Sequence, residues 1–158
     1  MTTTTHPTTS RLDPAVARER NKAVWDEASA LLFAKRIDEF AAFWHEDARY
    51  EVAYPIAGMP AALEGRAMLA EVMRGLVSAA DRIQVHDIQF HQTDNPDVAF
   101  VEERWEVDMV GGGRYENRMV IRVTFRDGLI ASVLEYYGER AHEEFLRRLG
   151  VTAEQPEV

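Results

Sequence analysis

The chain has 158 residues, of which 46% are hydrophobic and 28% are charged, as expected for one globular domain. A net charge of −9 disfavours nucleic-acid binding, and no apolar run reaches the roughly 20 residues that span a membrane. The absence of cysteine excludes disulfides, a thiolate nucleophile and a cysteine-based zinc site. We therefore expect a cytoplasmic protein whose partners are a small molecule and a second copy of the chain.

The first part of the chain predicts a tail, two helices and a strand. Residues 1–13 are rich in threonine and predict a disordered tail. Asp13-Pro14 is a typical helix start, and 14–35 carries apolar residues at helical spacing. A second helix is predicted over about 37–46, after which "EDARYEVAYP" predicts a strand that ends at Pro55.

The rest of the chain predicts a loop, a third helix, a meander of strands and a final helix. "IAGMPAALEG" is typical of a loop, and "RAMLAEVMRGLVSAA" of an amphipathic helix. About four antiparallel strands are expected over 83–137, joined at "DNPD", at "GGG" and at "DG". A short helix over 139–149 and a flexible C-terminus over 151–158 complete the chain. The order predicts one α+β domain over 14–150, in which a curved antiparallel sheet wraps around three N-terminal helices and encloses a pocket.

Strand alternation predicts which polar side chains face this pocket. The inward candidates are Tyr50, Tyr54, Glu103, Asn117 and Glu135, with Trp105 as an aromatic wall. Burial raises the pKa of a carboxyl group, as a general acid or base working near neutral pH requires. A structural alternative stays open, in which either glutamate pairs with Arg104, Arg114 or Arg140 and fixes the strand register. The tyrosines and Trp105 are likewise open to a role in the core or in an interface.

Several chemistries lack their sequence signatures. His86 and His91 lie five residues apart on a predicted strand and therefore on opposite faces, and no HExxH run occurs, so we expect no metal site. The sequence contains no GxSxG, GxGxxG or GxxxxGK[ST] motif. Acid–base chemistry without a cofactor and plain ligand binding remain.

Four runs of sequence resemble one superfamily. They are "RIDEFAAFWHEDARYEVAYP", "LEGRAML", "GGGRYENRMVIRVTFRDGLIASVLEYYG" and "ERAHEEFLRRL". Over roughly residues 20–150 they resemble the nuclear transport factor two-like superfamily, in its SnoaL-like and ketosteroid isomerase-like branch. The resemblance implies a cone-shaped domain that forms a homodimer through the open face of the sheet. Because this fold hosts isomerases, dehydratases, cyclases, epoxide hydrolases and non-catalytic binders, the fold alone does not select the activity.

Within that group, the C-terminal run is most similar to phenazine-biosynthesis proteins of the PhzA/B type, which implies that Glu135 acts as acid and base. We expect a cofactor-independent enzyme of specialised metabolism that isomerises, cyclises, condenses or dehydrates a small, mostly apolar metabolite. Glu135 would shuttle the proton, and Glu103 would be a second acid/base or an orienting group. Tyr50, Tyr54 and Asn117 would hydrogen-bond a developing oxyanion, and Trp105 would stack on the substrate.

Two alternatives remain beside this reading. "EERWEVD" is similar to the Arg-x-Asp element of limonene epoxide hydrolase-type enzymes, which implies a catalytic set of Arg104, Glu106 and Glu135 with Tyr50 positioning the water. The other alternative is a dimeric small-molecule-binding module without catalysis. Steroid isomerisation is not expected, because Tyr54 stands before Pro55 where ketosteroid isomerases keep an aspartate base.

Overall fold

A computed structural model describes residues 12–55, 60–148 and 150. The elements in chain order are α1 (Pro14–Phe33), α2 (Ile37–Ala41), β1 (Trp44–Val52), β2 (Ala62–Glu64), α3 (Arg66–Ser78), β3 (Ala80–Gln92), β4 (Val98–Met109), β5 (Arg114–Arg126), β6 (Leu129–Tyr137) and α4 (Glu139–Arg148). Of the predicted tail only residues 12 and 13 are described, and the predicted flexible segment 151–158 lies outside the described residues. The division of the chain into domain and tails remains a prediction.

The helix start predicted at Asp13-Pro14 is present as a capped N-terminus. The Asp13 carboxylate accepts a hydrogen bond from the backbone N–H of Ala15 at 2.9 Å, and Pro14 occupies the first helical position. On the side that α1 turns to the interior it buries Ala17, Asn21, Trp25 and Ala28. This helix therefore supplies one wall of the interior.

The six strands form a single sheet in the order β2-β1-β6-β5-β4-β3. Neighbouring strands pair antiparallel except β1 and β6, which are parallel. The predicted α+β fold, with a curved sheet, N-terminal helices and a short C-terminal helix, is confirmed. The parallel pair departs from the all-antiparallel sheet that was expected. Among the described residues no helix is both long and apolar enough to cross a membrane.

Two predicted boundaries near the start of the sheet are wrong. The second helix ends at Ala41 rather than near residue 46, and Trp44 begins β1. The backbone N–H of Ile130 donates to the carbonyl of Phe43 at 2.9 Å, so pairing with β6 overrides the helical spacing of this segment. The predicted loop contains the short strand β2, which pairs with β1 across Tyr50 and Leu63.

The alternation predicted for β4 and β5 is present, whereas β6 departs from it. Inward positions of β5 are buried from Tyr115 to Phe125 at every second residue. In β6, Ile130 and Val133 are both buried although they lie three residues apart. Between them the β5–β6 pairing shifts its register, as at a β-bulge. After the shift, Val133 and Glu135 lie on the same face of the strand, which is the face predicted for Glu135.

Candidate active site

A cavity of about 130 Å³ lies between the helices and the concave face of the sheet. Its walls are mostly aliphatic and aromatic side chains from α1, α3 and the strands. All three tryptophans of the chain, Trp25, Trp44 and Trp105, are among the lining residues. The polar groups that reach it include Tyr50, Glu103 and Glu135. A mostly apolar cavity with a few converging polar groups is the usual form of a small-molecule site.

Glu135 reaches the cavity from β6 and is held by a tyrosine of the neighbouring strand. The parallel pairing of β1 with β6 sets Tyr50 beside Val133 and Val52 beside Glu135. The Tyr50 hydroxyl donates a hydrogen bond to Oε2 of Glu135. Burial and the adjacent carboxyl group of Glu135 raise the pKa of Tyr50 well above its usual value, so this hydroxyl remains a donor.

The carboxyl group of Glu135 is poised to change charge near neutral pH. Burial raises its pKa from 4.5 to about 7, although the hydrogen bond from Tyr50 acts in the opposite direction. The negative charge of Glu103 adds to the rise, since a second anion in the same cavity is unfavourable. A carboxyl group with such a pKa can both accept and donate a proton at pH 7.

Glu103 is the second carboxyl group of the cavity and is 5% exposed. The indole nitrogen of Trp105, two residues along β4 on the same face, donates to its Oε1 at 2.6 Å. Burial raises the pKa of Glu103, and the hydrogen bond from Trp105 partly offsets that effect. The Trp105 ring is in turn fixed by an edge contact with Phe33 of α1, with ring centres 5.1 Å apart.

Two of the arginines that were expected to neutralise these acids, Arg104 and Arg114, form ion pairs with other residues. None of the described residues that line the cavity is Lys, Arg or His. Arg104 contacts Asp87 at 3.2 Å, and Arg114 contacts Asp108 at 3.0 Å. The positions of Arg104 and Arg114 therefore do not support the structural alternative, in which an ion pair at the sheet would explain the buried glutamates.

Two predicted site residues do not reach the cavity. Asn117 is buried on the predicted face, but its amide binds the turn from β6 to α4, donating to the Gly138 carbonyl at 3.1 Å and accepting from the Gly138 N–H at 2.9 Å. Its Nδ2 also donates to the Tyr115 hydroxyl at 2.9 Å. Tyr54 lies beyond the end of β1 and is 63% exposed. The polar atoms of Asn117 are thus engaged in structure, and Tyr54 faces solvent.

The residues expected for epoxide hydrolysis are not brought together. Arg104 and Glu106 project from the outer face of the sheet, opposite to the cavity-facing Glu103 and Trp105 of the same strand. Glu106 contacts Arg114 at 3.1 Å there. Of the set Arg104, Glu106 and Glu135, only Glu135 lines the cavity.

Trp44 is a cavity-lining residue that the sequence did not reveal. It lines the cavity and is 2% exposed, and its indole nitrogen has no hydrogen-bond partner among the described residues. The helical spacing of 37–46 predicts that its ring is part of an apolar packing face. Only the placement of Trp44 at the start of β1, against the core, shows that its N–H is buried.

Comparison with known proteins agrees with this architecture. The family model described as a SnoaL-like domain matches residues 25–133. The chain belongs to the SnoaL-like domain family. The predicted membership of the nuclear transport factor two-like superfamily is thereby confirmed. Among curated protein sequences, none matches this chain significantly.

Three solved structures illustrate the shared fold of this SnoaL-like protein. A candidate isomerase from Bacillus subtilis has 16% identity and a TM-score of 0.76, with 88% of this chain and 99% of that one covered. A phenazine biosynthesis-related protein from Pseudomonas aeruginosa has 20% identity, a TM-score of 0.70 and coverage of 92% and 95%. A Mycobacterium tuberculosis protein in complex with estradiol-17β-hemisuccinate has 16% identity, a TM-score of 0.69 and coverage of 77% and 96%. At these identities the likeness concerns the fold alone.

Proposed function

We propose that this SnoaL-like protein is an enzyme that moves a proton next to a carbonyl group of a small, mostly apolar metabolite, with side chains alone supplying the acid and the base. One observation carries the proposal. Two carboxyl groups, of the buried Glu103 and the half-buried Glu135, reach an apolar cavity whose described lining contains no cationic side chain. A fold has little structural use for such a pair, because each charged carboxylate is costly to bury without a counter-ion.

Glu135 is the residue that transfers the proton. Its carboxylate removes a proton from the carbon next to the carbonyl, and the C–H electron pair forms an enolate. The Glu135 carboxylic acid can return that proton to another carbon, which isomerises the substrate. Alternatively the enolate carbon bonds to the carbon of another carbonyl group, whose C=O electron pair moves to its oxygen and takes the proton from Glu135. In a dehydration the enolate instead expels a β-hydroxyl group, which leaves as water with that proton. All of these reactions begin with removal of the proton by Glu135, and the structure of the substrate determines which of them follows.

Tyr50, Glu103 and Trp105 support that step. Tyr50 fixes the orientation of the Glu135 carboxyl group through its hydrogen bond. Glu103, oriented by Trp105, is the second acid or base for a proton at the far side of the substrate. The apolar walls exclude water and keep the pKa of Glu135 near the working pH.

The first test follows exchange of the α-hydrogens of cyclohexanone in D2O by proton NMR. We expect the protein to accelerate exchange, with a rate that rises up to about pH 7 as Glu135 ionises and then levels. Glu135→Gln should lower the rate by at least about 100-fold. Glu71→Gln changes an exposed carboxylate on α3 and should leave the rate unchanged.

Two results would contradict the proposal. If Glu135→Gln exchanges as fast as the unaltered protein, Glu135 is not the base. If no ring ketone in a panel is exchanged faster than in buffer although the panel binds, the non-catalytic binding module is the better reading. The epoxide hydrolase reading predicts that Arg104→Gln abolishes turnover, which the outer-face position of Arg104 does not support.

A homodimer through the open face of the sheet and a cytoplasmic location remain predictions. The dimer is checked by analytical ultracentrifugation, in which a species of twice the 18.0 kDa chain mass is expected. A single species at the chain mass at micromolar concentration would refute it.

A further inference from the structure

Glu103 presents to the cavity a carboxylate oxygen that no described side chain binds. Its Oε1 accepts from the indole nitrogen of Trp105 at 2.6 Å, whereas Oε2 has no hydrogen-bond partner among the described residues. In the described part of the chain, the unpaired polar atoms that are fully enclosed belong to Trp44 and His86, so Oε2 of Glu103 is not sealed within the core. Because Glu103 lies on the concave face of β4 and lines the cavity, a ligand there can reach this oxygen.

The Glu103 carboxylate has fewer hydrogen-bond donors than a buried anion needs. The residue is 5% exposed, and Trp105 is its one donor among the described residues. Burial raises the pKa of Glu103, and the single hydrogen bond offsets that effect only in part. An ionised carboxylate oxygen can only accept hydrogen bonds. A second donor at Oε2, brought by a ligand, would therefore stabilise the carboxylate.

Charge and the number of donors favour a hydroxyl group in this position. A hydroxyl group has one proton to donate, which matches one free oxygen. An ammonium group has three N–H donors and would need three acceptors between mostly apolar walls. Its charge would also lower the pKa of Glu135, away from the value that proton transfer near pH 7 requires. A ligand carboxylate or phosphate would place a second anion beside Glu103.

The volume of the cavity limits the rest of the ligand. The enclosed space of about 130 Å³ is close to the roughly 150 Å³ of an engineered apolar cavity that binds benzene, so one six-membered ring fits. We propose that Oε2 of Glu103 accepts a hydrogen bond from a hydroxyl group of the substrate, which is a neutral hydroxy-carbonyl compound of about one ring. The inference deepens the proposed function and rests on it for the carbonyl group beside Glu135.

The test compares ring probes of matched size in the full-length protein at pH 8. Cyclohexanol carries a hydroxyl donor, cyclohexanone carries an acceptor alone, and cyclohexylamine, protonated at this pH, carries an ammonium group. Binding is followed through the indole proton–nitrogen NMR signals, since all three tryptophans line the cavity. We expect cyclohexanol to bind about tenfold more tightly than cyclohexanone, as for one hydrogen bond to a charged group, and more tightly than cyclohexylamine.

Glu103→Gln should remove the preference for the hydroxyl group. The Trp105 indole N–H can bond only the amide oxygen of the new side chain, so the amide NH2 takes the place of Oε2 and a donor replaces the acceptor. Cyclohexanone should then bind at least as tightly as cyclohexanol. Glu102→Gln removes the same charge from the preceding residue of β4, which is exposed on the outer face, and should keep the preference of about tenfold. The ratio of the two affinities in the unaltered protein remains a test even if Glu103→Gln does not fold.

Three results would overturn the inference. They are cyclohexanol that binds no more tightly than cyclohexanone or not at all, cyclohexylamine that binds most tightly of the three probes, and a preference for cyclohexanol that persists in Glu103→Gln. The proposed function fails separately. If Glu103 selects cyclohexanol as expected but the α-hydrogens of bound cyclohexanone are not exchanged, recognition of the hydroxyl group stands and the catalytic proposal does not.

Discussion

Glu135→Gln should make the protein more stable at pH 8 and leave its stability nearly unchanged at pH 5. The folded-state pKa of Glu135 is about 7, above the reference value of 4.5 for an unfolded chain. Between these values the folded protein keeps a proton that the unfolded chain releases, so the free energy of unfolding falls as pH rises. The loss is complete above the folded pKa. Below 4.5 both states are protonated and the effect vanishes.

The size of the effect follows from the two pKa values. At about 1.4 kcal/mol for each pH unit, the interval from 4.5 to about 7 corresponds to about 3 kcal/mol. Glutamine keeps the shape of the side chain and an oxygen that can accept from Tyr50, but never ionises. The variant should therefore exceed the unaltered protein by about 2–3 kcal/mol at pH 8, and differ by less than about 1 kcal/mol at pH 5.

Urea unfolding at the two pH values measures this difference. The pH dependence of all other groups cancels when the variant is compared with the unaltered protein at the same pH. Glu71→Gln, on the exposed side of α3, is the matched control and should show the same small effect at both values. A destabilised Glu135→Gln at pH 8 would mean that the carboxylate is paired with a cation. An equal difference at both pH values would mean that it is solvated.

Three further substitutions test the surroundings of the site. Tyr50→Phe removes the hydrogen bond that lowers the pKa of Glu135, so that pKa should rise above its value of about 7 in a carbon-detected NMR titration. An unchanged Glu135 pKa would mean that the Tyr50 hydroxyl does not bind the carboxyl group. Gly138→Ala places a methyl group 2.7 Å from Oδ1 of Asn117 and should cost about 1–3 kcal/mol in urea unfolding, whereas an unchanged midpoint would show that the turn shifts freely. Asn21→Ala removes the buried amide that donates to the Pro96 carbonyl and to Oδ1 of Asp97 at the β3–β4 turn, and it should lower the free energy of unfolding in urea by about 2 kcal/mol. A loss below about 0.5 kcal/mol would show that these hydrogen bonds do not stabilise the turn.

Regular strands allowed part of the site to be predicted from the sequence. In β4 and β5 the alternation holds along the whole element, so Glu103, Trp105 and Asn117 were placed on the correct face. The same rule failed for Tyr54, because β1 ends at Val52 and alternation has no meaning beyond the last paired residue. Strand ends are set by pairing with distant segments, which a local pattern does not contain.

The contacts that give each group its chemistry could not be predicted in the same way. Tyr50 and Glu135 are 85 residues apart and meet because β1 pairs in parallel with β6, a pairing without a short-range turn signal. Asn117 has the expected face, yet its amide is used by Gly138. The face on which a side chain lies follows from the alternation of its own strand. Whether its polar atoms are free to bind a ligand depends on hydrogen bonds with neighbours that are distant in the sequence.

The outer face of the sheet shows why residue type alone misleads. Arg104 and Glu106 match a catalytic spacing in the sequence, but they belong to a network of exposed and half-buried charges that also includes Arg114. Such ion pairs are ordinary features of a wet sheet face and each contributes at most about 1 kcal/mol. They are next to Glu103 and Trp105 in the chain, and side chains of consecutive strand residues project from opposite faces of the sheet. The periodicity of the strand therefore gives the face on which each residue lies, which the motif does not.

The features of the cavity are each unfavourable for folding, and this is the strongest argument that they serve a ligand. Glu135 and Glu103 have pKa values raised by burial. The apolar walls of the cavity also make fewer packing contacts with one another than side chains in a filled core do. Unrelated buried acids would be scattered over the core, whereas Glu103 and Glu135 reach one cavity. A neutral carbonyl compound would fill the apolar space and meet both carboxyl groups without adding charge.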